Sequence, residues 1–195
     1  MNKHAELSSN NIVEFIADIF HRRGHEEYLG EPVTMAEHML QGAHFAANQG
    51  ESNEIIVATL LHDIGHFTSE FGMFSMEDTE DRWHENAGAE VLEAFFPSLI
   101  SDCVRYHVAA KRYLCATSPE YYDQLSEASV HSLNLQGGPM NNTEVAAFEQ
   151  NPNLDAIIKV RKFDDRGKIA GLKTAPFTHY IPMIQSIVDA HSAGQ

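Results

Sequence analysis

The chain carries twelve histidines in 195 residues, several of them inside apolar segments. A neutral imidazole buried among apolar neighbours needs a hydrogen-bond partner or a metal ion. The strongest local pattern is Leu60-Leu61-His62-Asp63-Ile64-Gly65-His66. Adjacent helical residues diverge by about 100°. A His-Asp pair can therefore serve one ion only near a helix end, or two ions if the carboxylate spans them. Gly65 is expected to end the helix and leave room for a ligand. Alone, the pair reads equally as a buried histidine bonded to a carboxylate, but His38, His84, His107 and Asp164 extend it, each on a different expected helix. Four histidines and two carboxylates are too many for one ion. They suit two ions sharing Asp63, in the way helical bundles build metal sites from facing helices. Nitrogen and oxygen donors without cysteine favour iron, manganese or zinc. Asp165 competes with Asp164; Asp164 is preferred because it follows Arg161 by three residues and Val160 by four, on the inward face. His66 follows the pair closely enough to act beside the metals or on a substrate.

These residues need a helical frame, and the apolar spacing supplies one. Ile12, Val13, Phe15, Ile16, Ile19 and Phe20 predict an amphipathic helix over 11–22, stopped by Gly24. Thr34 and Glu37 form a capping box opening a helix to about Asn48. Further helices are expected at 55–64, 84–96, 98–110, 118–131, 153–163 and 178–191, with a short one after Thr143. The stretch from Phe67 to Trp83 is aperiodic and reads as a long loop of the kind that often carries function. No strand series is evident, so the expectation is an all-α bundle, one domain over 1–195, with a dinuclear site in its core.

Composition narrows the chemistry. Hydrophobic residues make up 43% of the chain, enough for a packed core, and no window approaches the length of a membrane span. The first six residues lack the pattern of a signal peptide. Cys103 and Cys115 are too few for a disulfide framework, so the expected compartment is the cytoplasm. A net charge of −15 argues against nucleic acid as a partner. Six of the thirteen basic residues fall between Lys159 and Lys173, so a small anion could still be held locally.

On these residues the chain resembles the HD-domain superfamily, whose H…HD…D pattern is matched by His38, His62-Asp63 and Asp164, with His84 and His107 completing the dinuclear form. Most of its members are phosphohydrolases. A smaller branch contains mixed-valent di-iron oxygenases, among them those that cleave 1-hydroxyphosphonates (the PhnZ/TmpB type). Three segments resemble that branch over roughly residues 10–190: Tyr28 to His38, His107 to Leu114 followed by Leu125 to Ser129, and Val160 to Asp165. The resemblance implies two iron ions, as Fe(II)/Fe(III), and dioxygen as co-substrate. It implies that Tyr28 coordinates iron at rest and leaves when substrate enters, and that Glu31 meets a substrate amine. Lys111, Ser129, Arg161 and His66 would hold the phosphonate. The implied substrate is 1-hydroxy-2-(trimethylammonio)ethylphosphonate, giving glycine betaine, in preference to the primary amine, giving glycine. Tyr28, Phe67, Phe71, Phe74 and Trp83 could offer aromatic faces to the quaternary ammonium. The implied partner is this small molecule, with no membrane and no specified oligomer. The competing expectation is a metal-dependent HD phosphohydrolase acting on a phosphate ester or nucleotide, which would give Tyr28 and Glu31 no role. A non-catalytic metal-binding or signalling domain would leave the basic residues unexplained.

Overall fold

A computed structural model describes residues 7–28, 30–68 and 83–194. They form helices α1 (Ile12–Arg23), α2 (Met35–Asn48), α3 (Asn53–Leu61), α4 (Gly65–Thr68), α5 (His84–Leu92), α6 (Ser98–Thr117), α7 (Pro119–Tyr122), α8 (Glu127–Leu135), α9 (Asn142–Phe148), α10 (Leu154–Arg166) and α11 (Ile181–Ala193), with a 3-10 turn at Phe177–His179. Among the described residues there is no strand, only an isolated antiparallel bridge between Glu27 and Thr34. No described helix is long and apolar enough to cross a membrane.

The centre of the molecule is α3, buried at every position from Ile55 to Leu61. A helix apolar all round belongs inside. It packs against α2, α6, α10 and α11, while α6 also packs against α5 and α10. The capping box at the start of α2 is complete: Thr34 Oγ1 accepts from the Glu37 amide and Glu37 Oε2 accepts from the Thr34 amide at 2.8 Å.

Several elements depart from the sequence expectation for local reasons. Helix α6 runs past 110 to Thr117, because no breaker intervenes before Ser118-Pro119, where Ser118 turns extended. The helix expected over 118–131 is broken in two, since Ser126 takes an extended conformation and caps α8 by accepting from the Ser129 amide. Helix α10 continues to Arg166, so Asp164 lies in its last turn. Gly65 starts α4 and leaves no room for a ligand. A Cβ there would lie 1.7 Å from the His84 carbonyl oxygen, so the glycine lets the start of α5 rest on the backbone of α4. That close approach sets the position of His84. Of the expected loop, Phe67 and Trp83 are described, whereas Phe71 and Phe74 lie outside the described residues.

Candidate metal centre and adjoining pocket

His38 comes from the first turn of α2, His84 from the first residue of α5, His107 from α6 and Asp164 from α10. His62 and Asp63 occupy the turn just after α3, where the Ile64 amide bonds to the Leu61 carbonyl and the His66 amide to the Asp63 carbonyl, both at 3.0 Å. All six are buried.

The backbone fixes three of the rings. His38 Nδ1 lies 2.9 Å from the Gly167 carbonyl oxygen, His62 Nδ1 2.7 Å from that of Thr59, and His107 Nδ1 2.7 Å from that of Val104. A carbonyl only accepts, so each Nδ1 carries a proton, and each ring, when neutral, turns a lone pair outward at Nε2. Those outward nitrogens converge in pairs: His38 Nε2 and His62 Nε2 are 3.1 Å apart, as are His84 Nε2 and His107 Nε2. Asp63 lies between the two pairs. Its Oδ2 is 3.5 and 3.4 Å from the nitrogens of His38 and His62, and its Oδ1 is 3.3 and 3.2 Å from those of His84 and His107. Asp164 joins the first pair, with Oδ1 3.3 Å from His38 Nε2 and Oδ2 3.6 Å from His62 Nε2.

Facing lone pairs at such distances repel unless a proton or a cation lies between them. Burial alone would lower the His62 pKa, yet Asp63 and Asp164 raise it to about 10, so the first cluster favours a positive charge. Burial likewise opposes charge on Asp63, but His62, with hydrogen bonds from His107, His38 and His62, holds its carboxyl well below the usual range. Asp164 Oδ1 is buried without a hydrogen-bond partner. Two groups, His38-His62-Asp63 and Asp63-His84-His107, could each hold a metal ion. The donors are all nitrogen and oxygen, a set suited to iron, manganese or zinc.

The other sequence candidates surround a pocket over this cluster. Tyr28 stacks on the His38 ring, with centroids 3.9 Å apart and planes 12° apart, and it lines the pocket. Burial, then Asp63 and Asp164, push its phenol pKa well up. His66 stacks on His84 at 3.9 Å and is held neutral by burial and by His84. Lys111 Nζ donates to Ser132 Oγ at 2.7 Å, and burial followed by the Arg161 charge brings its pKa down to about 7. Arg161 donates to Asp164 at 2.6 Å and also to Asp165, whose carboxylate accepts from Tyr121 at 2.6 Å. The two aspartates thus separate: Asp164 faces the histidines and Asp165 faces away to Arg161 and Tyr121. Glu31 and Ser129 line the same pocket.

Only Tyr28, Phe67 and Trp83 of the expected aromatic cage fall among the described residues, and these three are not gathered. Phe67 packs edge-on against Phe20 and under Arg23, and Trp83 is 61% exposed; neither lines the pocket, while Tyr28 does. Residues to which the sequence reading gave no role also stand here. Lys168 bonds to Glu31 and Ser129, Ser126 bonds to Glu31, and buried Glu85 places Oε2 3.5 Å from His84 Nδ1. Their sequence signs were the basic run that contains Lys168 and the segment Leu125 to Ser129 that contains Ser126.

The description "HD domain" fits residues 35–135 in a comparison with protein families. The chain is 70% identical to the [1-hydroxy-2-(trimethylamino)ethyl]phosphonate dioxygenase (glycine-betaine-forming) of Leisingera caerulea, over 96% of this chain and 95% of that protein. It is 37% identical to the hydroxymethylphosphonate dioxygenase of Gimesia maris, over 97% of this chain and 99% of that protein.

Proposed function

The chain belongs to the HD domain family, and we propose that it is a dioxygenase cleaving the C–P bond of 1-hydroxy-2-(trimethylammonio)ethylphosphonate to glycine betaine and phosphate. One observation carries the reading: a pocket lined by the buried cations Lys111 and Arg161 opens onto the two-centre donor cluster, in a chain so similar to the Leisingera dioxygenase. The reaction balances without water. The hydroxyphosphonate and one molecule of dioxygen account for every atom of the carboxylate, the hydrogen phosphate and the proton released.

His38, His62, Asp63 and Asp164 would hold one iron, and Asp63, His84 and His107 the other, with Tyr28 beside the first as a further oxygen donor that yields to substrate. An iron pair held there would supply the activation of dioxygen, which takes up the four electrons released as the substrate's C–H and C–P bonds give way to C–O and P–O bonds. The chain's own groups then bind and orient. Lys111, Arg161 and Ser129 hold the phosphonate oxygens by charge-assisted bonds and favour the charge that grows on the departing phosphate. Ser132 aims the Lys111 ammonium. His66, neutral, supplies a hydrogen-bonding nitrogen to the substrate's polar head. Glu31 meets the trimethylammonium end.

The Lys111 shift predicts a pH dependence. Its ammonium, and with it phosphonate affinity, is present below about pH 7 and lost above it. Because kcat/KM reports the free enzyme, it should fall on the alkaline side with an apparent pKa near 7. In Lys111→Met that limb should vanish along with most of the affinity.

The function is tested by incubating the iron-loaded protein with the hydroxyphosphonate in air and following phosphorus and proton NMR. Phosphate and glycine betaine should appear together. An intact phosphonate, with turnover of phosphate esters instead, would overturn the assignment in favour of a phosphohydrolase.

A further inference from the structure

We propose that Lys168 sets substrate specificity by exchanging ion partners: it leaves Glu31 for the phosphonate as the substrate's trimethylammonium takes its place at Glu31. The inference rests on the proposed function and deepens it.

Two separate segments converge on Lys168. Its Nζ donates to Glu31 Oε1 at 2.9 Å, from the loop before α2, and to Ser129 Oγ at 2.9 Å and Ser126 Oγ at 3.2 Å, from the start of α8. Lys168 itself follows Gly167, whose carbonyl oxygen bonds His38. The Glu31 and Lys168 side chains are 12% and 14% exposed. Each charge is therefore largely removed from water and compensated by the other.

The lysine is the partner built to move. Glu31 is tied by its amide to the Tyr28 carbonyl at 2.7 Å across a turn in which Gly30 takes φ +73°, a conformation suited to glycine. The lysine is a point charge on a flexible four-carbon stem with three donors. It already touches both ends of the proposed substrate site, Ser129 at the phosphonate end and Glu31 at the cation end. It can switch between them without backbone motion.

Charge bookkeeping then favours a zwitterion. With both a phosphonate and a quaternary ammonium present, the exchange leaves every charge paired. Ser126 still donates to Glu31 at 2.6 Å, so a trimethylammonium, which has no N–H, has only to supply charge. A phosphonate without a cation gains nothing from the switch. Drawing Lys168 away strands Glu31 in a nearly dry site, and leaving it there withholds a cation from the phosphonate.

The test uses iron-loaded protein under argon and titration calorimetry with two ligands, 1-hydroxy-2-(trimethylammonio)ethylphosphonate and hydroxymethylphosphonate, which has no cation. Wild type should prefer the zwitterion by about tenfold or more, the range of one charged hydrogen-bonded contact. Glu31→Gln frees Lys168, so it should bind hydroxymethylphosphonate about tenfold more tightly than wild type and the zwitterion more weakly. Adding Lys168→Met to Glu31→Gln should cancel the gain. If Glu31→Gln weakens both ligands equally, or the gain survives without Lys168, the exchange is wrong while the functional reading stands. If wild type binds neither ligand, the functional reading falls and the exchange falls with it.

Discussion

Asp63→Asn is expected to leave less than one metal ion per chain and to cost at least 99% of turnover. The carboxylate places one oxygen toward His38 and His62 and the other toward His84 and His107. An amide of the same size keeps one oxygen and turns an NH2 toward the other pair. That NH2 cannot donate a lone pair to a metal, and the anion that offsets two cations is gone. Groups that merely orient ligands typically cost 10–100-fold when removed, so loss of a shared ligand should exceed about 100-fold. The measurement is elemental analysis and turnover on the same purified sample. Metal content should fall from two per chain to below one. A variant retaining two metals and a tenth of the activity would show that Asp63 does not bridge.

Arg161→Met is expected to be the most destabilising single change at the site. Arg161 is 4% exposed, and its guanidinium pairs with Asp164 and Asp165. Methionine fills the apolar part of the space and leaves the buried Asp164 without its cation. Breaking one side of such a pair costs about 3–5 kcal/mol. For a chain of this size that lowers Tm by about 6–20 °C in the metal-free protein. Metal should narrow the deficit, because an ion at His38, His62 and Asp63 also offsets Asp164. The pH dependence has a definite sign. Burial opposes the Asp164 charge, and Arg161 together with His62 holds its pKa well below 3.8. The stability this gives wild type is present above the unfolded carboxyl pKa and lost as pH falls through the folded value. The gap between wild type and variant should therefore close in acid. Equal melting of the two metal-free proteins at neutral pH would contradict the pairing.

Much of this site could be read in the chain because its geometry is helical and local. His62 and Asp63 fall at the end of an apolar helix, and the spacing of Asp164 from Val160 and Arg161 places it inward and leaves Asp165 to the side. The all-α class followed from the same periodicity. What could not be read depends on meetings between distant segments. Glu31 and Lys168 are 137 residues apart, and neither has a local pattern announcing the pair. Gly65 looked like a helix stop, yet its lack of a Cβ is needed by the backbone of His84. Ser126 reads as the interior of a helix, yet its side chain caps the next one. Among the aromatics expected to face the quaternary ammonium, Phe67 instead packs edge-on against Phe20 and under Arg23, contacts between segments that no local pattern announces.

Paired oxygen-electrode and phosphate measurements on the iron-loaded protein decide whether this helical site uses dioxygen to break a C–P bond. With 1-hydroxy-2-(trimethylammonio)ethylphosphonate in limited oxygen, phosphate should accumulate in equal amount to the oxygen consumed and stop when the oxygen is spent. Phosphate release that continues at full rate under argon would contradict the account.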